Sequence, residues 1–123
     1  MSLIVYPYEY DSTSQSIKRV ELSLNEPFSD VFGLESWRKN IWSSVTLKKI
    51  GCNLLYTLKD KDIYTKNEDL KLLETELNII KENLNRIAIE FKIESKAIEF
   101  RLNNALEAVR IAKTNENYGV YIG

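Results

Sequence analysis

The chain reads as an α+β domain: a small antiparallel sheet, made of an N-terminal hairpin plus a C-terminal strand, packed against a long antiparallel helical hairpin and one further helix. Three observations predict this class. Residues 3 to 24 are rich in β-branched and aromatic side chains with stretches of alternation, residues 67 to 113 carry apolar side chains at steps of three and four, and residues 118 to 122 return to strand-forming composition. At 123 residues the chain is one domain, 1–123, with no room for a second core.

The first two strands are expected over Leu3 to Tyr10 and Ile17 to Leu24, the second with Val20, Leu22 and Leu24 on one face. Between them the polar run from Asp11 to Ser16 has the composition that closes a hairpin. Pro7 has no amide hydrogen to give to a ladder, so the first strand is either at a sheet edge or bulged there, and the edge is the reading preferred. Asn25-Glu26-Pro27 ends the hairpin, and Leu34, Trp37, Ile41, Val45 and Lys48 then fall at helical spacing with Gly51 at the C-cap. Ser43-Ser44-Val45-Thr46 is poor helix material and argues for an early end to that helix. Residues 54–58 and 63–65 flank Lys59-Asp60-Lys61-Asp62 in the manner of a short hairpin.

The strongest periodicity follows Asn67, which reads as an N-cap with Glu68 and Asp69 complementing the helix dipole. Leu70, Leu73, Leu77, Ile80, Leu84, Ile87 and Phe91 form a heptad stripe, expected as one helix of about 36 Å at 1.5 Å per residue. Ser95 is expected to cap a second helix carrying Ile98, Leu102, Ala105, Val109 and Ala112. So short a connection forces the two helices antiparallel with their stripes facing. Tyr118 to Ile122 is then a strand that joins the sheet of the first hairpin.

Composition narrows function mainly by exclusion. Seventeen Lys and Arg against eighteen Asp and Glu leave a net charge of -1, so no global field recruits nucleic acid or anionic lipid. The absence of His removes Ser-His and Cys-His nucleophile pairs and His-based metal sites. The single Cys52 cannot make an intrachain disulfide and reads as a buried hydrophobe, in keeping with a reducing cytoplasm. The first residues lack a basic n-region and no apolar run reaches the ~18 residues of a membrane span, so a soluble, cytoplasmic protein without membrane partners is expected.

The oxygen-rich Asp60-Lys61-Asp62 and Asn67-Glu68-Asp69 invite a calcium loop, but the spacing fails: Thr65 stands where the turn glycine belongs and Lys71 where the bidentate acid belongs. No metal and no cofactor is expected. Glu74 with Glu76 and Glu90 with Glu94 are the nearest carboxylate pairs. On a helix the first pair diverges by about 200 degrees, and solvated charge is the simpler account of all four. Isolated Gly33 and Gly51 begin no phosphate-binding loop. Catalysis is therefore not expected.

Surface recognition remains, and five residues are its candidates: Trp42, Arg38, Arg101, Asn104 and Tyr8. Trp37 and Trp42, five apart on a helix, diverge by about 140 degrees, so Trp37 in the Leu34–Ile41 stripe is core and Trp42 at its margin is the candidate exposed anchor, with Arg38 one turn back. The competing reading has the sheet or the long helices covering both rings. Arg101 and Asn104, at i and i+3, either form a polar contact patch or make internal bonds to the sheet, a loop or the C-terminal strand. Tyr6, Tyr8 and Tyr10 alternate, which puts three phenol rings on one face as a stacking platform or as packing beneath a helix. Basic residues come only in local pairs such as Lys18-Arg19 and Lys48-Lys49, which disfavours a nucleic-acid partner. The function expected is a small cytoplasmic protein-binding module of inhibitor, immunity-protein or adaptor type. The alternatives are a homo-oligomer subunit, with a homodimer suggested by the heptad stripe, and a His-free enzyme or small-ligand binder.

Overall fold

A computed structural model of the chain describes residues 2–11 and 18–123, and the α+β class expected from the sequence is the fold observed. The strands are β1 (Ser2–Asp11), β2 (Lys18–Glu21), β3 (Val31–Leu34), β4 (Ile63–Thr65) and β5 (Tyr118–Ile122). They form an antiparallel sheet in the order β2-β1-β5-β4, with β3 also paired to β1. The helices are α1 (Val45–Lys49), α2 (Asn53–Tyr56), α3 (Glu68–Glu82), α4 (Leu84–Phe91) and α5 (Ser95–Ala112). None of the described helices is long and apolar enough to cross a membrane.

Strand β1 is central, which overturns the edge position inferred from Pro7. Its even-numbered residues turn their backbone N–H toward β5, as the paired bonds of Ile4 with Gly123 and the bond from Tyr10 to the Asn117 carbonyl establish. Odd-numbered residues turn theirs to the other flank, where Val5 donates to the Asp30 carbonyl. That flank is shared between two short strands, β3 opposite Ser2 to Ile4 and β2 opposite Tyr8 to Asp11. Pro7 falls in the gap between them. A proline there breaks no ladder bond, while its carbonyl still accepts from the Leu22 amide at 2.8 Å. The polar loop expected between the first two strands lies, beyond Asp11, outside the described residues.

The helices cover one face of the sheet. Leu3 and Val5 of β1, Ile63 and Thr65 of β4, and Val120 and Ile122 of β5 all point into this layer and are buried. Helix α5 crosses β1, β3 and β5, and its Ala105, Ala108 and Ala112 are buried there with Leu102 and Val109. Short side chains on that stripe let the helix axis approach the sheet closely while the larger residues fill the flanks. Helices α3 and α4 pack against α5, as the facing stripes predict. The heptad stripe is spent on this internal contact: Leu70, Leu73, Leu77, Ile80 and Ile87 are all buried.

Several local expectations give way. The single long helix is two, because at Asn83 the side-chain amide donates to the Ile79 carbonyl at 2.8 Å, competing with the helical ladder and letting the chain restart as α4. Asn67 occupies the N-cap position but at φ 57, with no side-chain bond to the helix, and the N-cap of α5 is Glu94, with Ser95 already helical. The expected helix over 34–48 does not form as a unit. Val31–Leu34 is a strand, Arg38–Trp42 is a single π-helical turn, and α1 begins only after Ser44, whose hydroxyl accepts from the Leu47 amide. Gly51 does follow the end of α1, at φ 113, where a side chain would be strained. Residues 54–58 are helical, so they pair with nothing, and 63–65 pairs with β5 instead.

Strand β3 is held from its outer side by two side chains. Asn104 of α5, fully buried, accepts from the Ser29 amide at 3.0 Å and donates to the Val31 carbonyl at 2.8 Å. Trp42 donates its indole N–H to the Phe32 carbonyl at 2.9 Å. Replacing Asn104 by Ala strands a half-buried donor, the Ser29 amide, and a half-buried acceptor, the Val31 carbonyl, at once. Urea unfolding of Asn104→Ala should therefore show a loss of about 3 kcal/mol, at 1–3 kcal/mol per orphaned group.

Candidate functional site

The face of the sheet turned away from the helices gathers most of the chain's tyrosines. Directly opposed residues share a face, so the pairings of Tyr6 with Tyr121, of Tyr8 with Gly119 and of Tyr64 with Tyr121 collect Tyr6, Tyr8, Tyr10, Tyr64 and Tyr121 there, five of the chain's seven tyrosines. Their rings touch: Tyr6 and Tyr121 have centroids 4.9 Å apart, Tyr64 and Tyr121 4.9 Å, and Tyr8 meets Tyr64 edge-on at 5.9 Å. The same register places Arg19 and Glu21 of β2 on this face, opposite Tyr10 and Tyr8.

Within the cluster Tyr8 is covered and Tyr64 is not, at 3% and 45% exposure. Gly119 is what lets Tyr8 lie flat across β5: a Cβ there would come 2.5 Å from the Tyr8 hydroxyl oxygen and closer still to the Thr65 carbonyl. The Tyr8 hydroxyl reaches past it and donates to that carbonyl at 3.4 Å. Arg19 stands beside the Tyr8 hydroxyl, with its guanidinium carbon 4.1 Å from the Tyr64 centroid. Burial pushes the Tyr8 hydroxyl above its usual pKa, against the pull of Arg19 beside it. Burial also raises Tyr121, reinforced by its hydrogen bond to Asp62 at 2.8 Å. Lys66 closes another corner, its ammonium 4.3 Å over Tyr10.

The five sequence-derived candidates do not converge. Tyr8 is at the centre of this face, as a covered ring. Arg38 stands at its margin, where Asp62 joins the two: one carboxylate oxygen takes the Arg38 guanidinium at 3.1 Å and the other the Tyr121 hydroxyl. Arg38 also pairs with Glu35 at 2.5 Å and caps the Leu58 carbonyl at 2.9 Å, so it ties together three segments of chain.

Trp42, Arg101 and Asn104 lie in the other layer. The exposure expected of Trp42 is not found: at 0% exposure its ring stacks on Phe32 at 4.3 Å and meets Trp37 at 5.8 Å. The divergence argument assumed an α-helix, whereas the i→i+5 bonding of the π turn brings residues five apart to the same side. Arg101 lays its guanidinium over Trp37 at 4.7 Å and donates to the Ala97 carbonyl at 2.9 Å. Asn104 is the internal bond to β3 already described.

Two clusters escaped the sequence reading. Glu76, read there as a solvated charge, is completely buried and accepts from the Leu54 and Leu55 amides at 2.8 and 2.9 Å, capping α2 from a neighbouring helix. An N-cap donated by a residue more than twenty positions away leaves no local trace. Its neighbour Cys52 is also buried, and desolvation aided by Glu76 pushes its thiol up to about 12. That removes the thiolate required for reactivity. The second cluster is Tyr56, with Lys48 and Lys59 over its ring at 4.4 and 4.2 Å; the Lys59 hydrogen bond lowers its hydroxyl pKa.

Compared with models of protein families, with curated proteins and with solved structures, the chain finds no match.

Two outcomes follow from these contacts. Gly119→Ala forces the new methyl against the Tyr8 ring and the Thr65 backbone, so thermal or urea unfolding should register a loss of about 1–3 kcal/mol, as for other overpacked sites. For Glu76, burial raises the carboxyl pKa more than the two amide bonds lower it. The folded state then keeps the proton to higher pH than the unfolded chain does. This group's stabilisation is complete below the unfolded value near ~4.3 and declines as pH rises through the folded one. Measured against Glu76→Gln, which does not titrate, wild-type stability should fall with rising pH across that window.

Proposed function

We propose that the protein is a binding module that acts on another protein through surface complementarity, without catalysis, in the manner of an inhibitor, immunity protein or adaptor. The contact surface in this reading is the tyrosine face of the sheet. What carries it is the distribution of aromatic side chains: five tyrosines gathered on the sheet face that no described helix covers. A soluble domain with no use for that face would fill it with ordinary polar residues.

Tyrosine suits the role because it offers a large apolar body and a hydroxyl while losing little conformational freedom on binding. Contacts within the protein already pay most of that ordering cost, since the rings rest on one another and Tyr121 and Tyr8 are tethered by their hydroxyls. Four strands at about 4.8 Å spacing and two-residue steps along β1 give a platform about 14 Å on a side. A stable interface buries about 800 Å² per partner, so the platform would be the centre and Arg19, Lys66, Glu21 and Asp62 its polar rim.

The test is affinity capture with mass spectrometry using three versions of the full chain: wild type, Tyr64→Asp on the tyrosine face, and Ile89→Asp at an apolar position on α4 that is 78% exposed. A partner should be retained by wild type and Ile89→Asp and lost by Tyr64→Asp, with all three equally folded by circular dichroism. A wild-type dimer in light scattering that Tyr64→Asp dissolves would make that partner a second copy. Capture that fails for every version, or that only Ile89→Asp abolishes, would overturn the reading.

A further inference from the structure

We infer that the partner's contact segment is acidic and sets carboxylates over Arg19 and Lys66, an inference that rests on the protein-binding reading of the tyrosine face. Both cations lie against ring faces, Arg19 over Tyr64 at 4.1 Å and Lys66 over Tyr10 at 4.3 Å. Four of the other described cations are ion-paired, Arg38 with Glu35 and Asp62, Lys71 with Glu68, Arg110 with Glu107 and Lys113 with Glu74. Among the residues whose side chains are described, no carboxylate stands within ion-pair distance of Arg19 or Lys66.

The acid at the margin is already engaged, since Asp62 spends one oxygen on Arg38 and the other on Tyr121. Among the residues whose side chains are described, Glu21, exposed and in register with Tyr8, is the remaining carboxylate on this face. The face therefore presents two cations against one unengaged acid in a chain whose net charge is -1, so its positive character is local. Geometry adds direction to charge. Arg19 is held between the Tyr64 ring and the Tyr8 hydroxyl, and a guanidinium fork so placed takes a carboxylate with its remaining N–H groups. Tyr64 also pre-orders the long Arg19 side chain, which would otherwise lose its freedom on binding.

Phosphates would meet the same two cations, but strand binding draws on a row of cations along a groove, and here there are two with Glu21 among them. The observations thus favour carboxylates on a protein. The test has two arms. In the first, the isotope-labelled full chain is titrated with a 20-residue Glu-rich peptide, a Lys-rich peptide of the same length and a twelve-nucleotide oligothymidylate, and backbone amide shifts are followed. The Glu-rich peptide should shift Arg19, Tyr64 and Lys66 and weaken about fivefold between 50 and 300 mM salt. Stronger binding of the Lys-rich peptide or of the oligonucleotide at this face, or no shift there with any probe, overturns the inference.

In the second arm, a partner that passes the capture test is measured against Arg19→Gln and Lys66→Gln, each expected to lose about tenfold in affinity. Should Arg19→Gln fail to fold, Lys66→Gln decides alone. A partner lost with Tyr64→Asp yet indifferent to the Gln variants and to salt would leave the protein-binding reading standing and remove the acidic one.

Discussion

Helix α5 lying across β1, β3 and β5 is the contact on which the rest of the molecule depends. It touches the sheet, the helices α3 and α4 and the irregular segment around β3 together. Its Ala105, Ala108 and Ala112 are small enough to admit close approach, while Leu102, Val109 and Ile98 fill the space to either side. Because interiors are packed as tightly as organic crystals, this arrangement determines where α3 and α4 can sit as well. Asn104 extends the same helix into a polar clamp on β3, so one helix supplies both the apolar seam and the bonds that hold the sheet's irregular strand.

That one-sided packing is also what creates the candidate surface. A β-strand sends successive side chains to opposite faces, so once α5 covers the odd-numbered residues of β1, the even-numbered tyrosines must face the other way. The covered face is aliphatic and the open face aromatic. Gly119 leaves room for the buried Tyr8 ring, which meets Tyr64 edge-on, while Tyr6 and Tyr64 both pack on Tyr121. The link through Asp62 to Arg38 ties this face to the turn that precedes α1.

Several polar groups inside the molecule follow one pattern: they satisfy backbone that regular structure leaves unpaired. Glu76 caps α2 from α3, Trp42 and Asn104 bond the outer carbonyls of β3, and Arg38 caps Leu58. Short, broken elements between residues 31 and 65 expose many such groups, and buried backbone cannot be left without partners. The chain therefore spends side chains that look like surface anchors in sequence, a tryptophan, an arginine and an asparagine, on internal bonds.

What was legible in the sequence is what repeats along it. The stripe from Leu70 to Phe91, the second stripe from Ile98 to Ala112, the alternation of Tyr6, Tyr8 and Tyr10, and the strand-like end at Tyr118 each record a face that one element turns to its surroundings, and periodicity alone reveals such faces. Tertiary structure decided everything that depends on a distant partner. Pro7 sits in a central strand because two short strands leave a gap beside it, Glu76 is buried because another helix needs a cap, and Trp42 points inward because the turn beneath it winds more widely than an α-helix. Which sheet face would stay open was decided in the same way, by the helices that settled on the other one: local preferences determine the shape of each piece, and only packing determines which of its sides meets water.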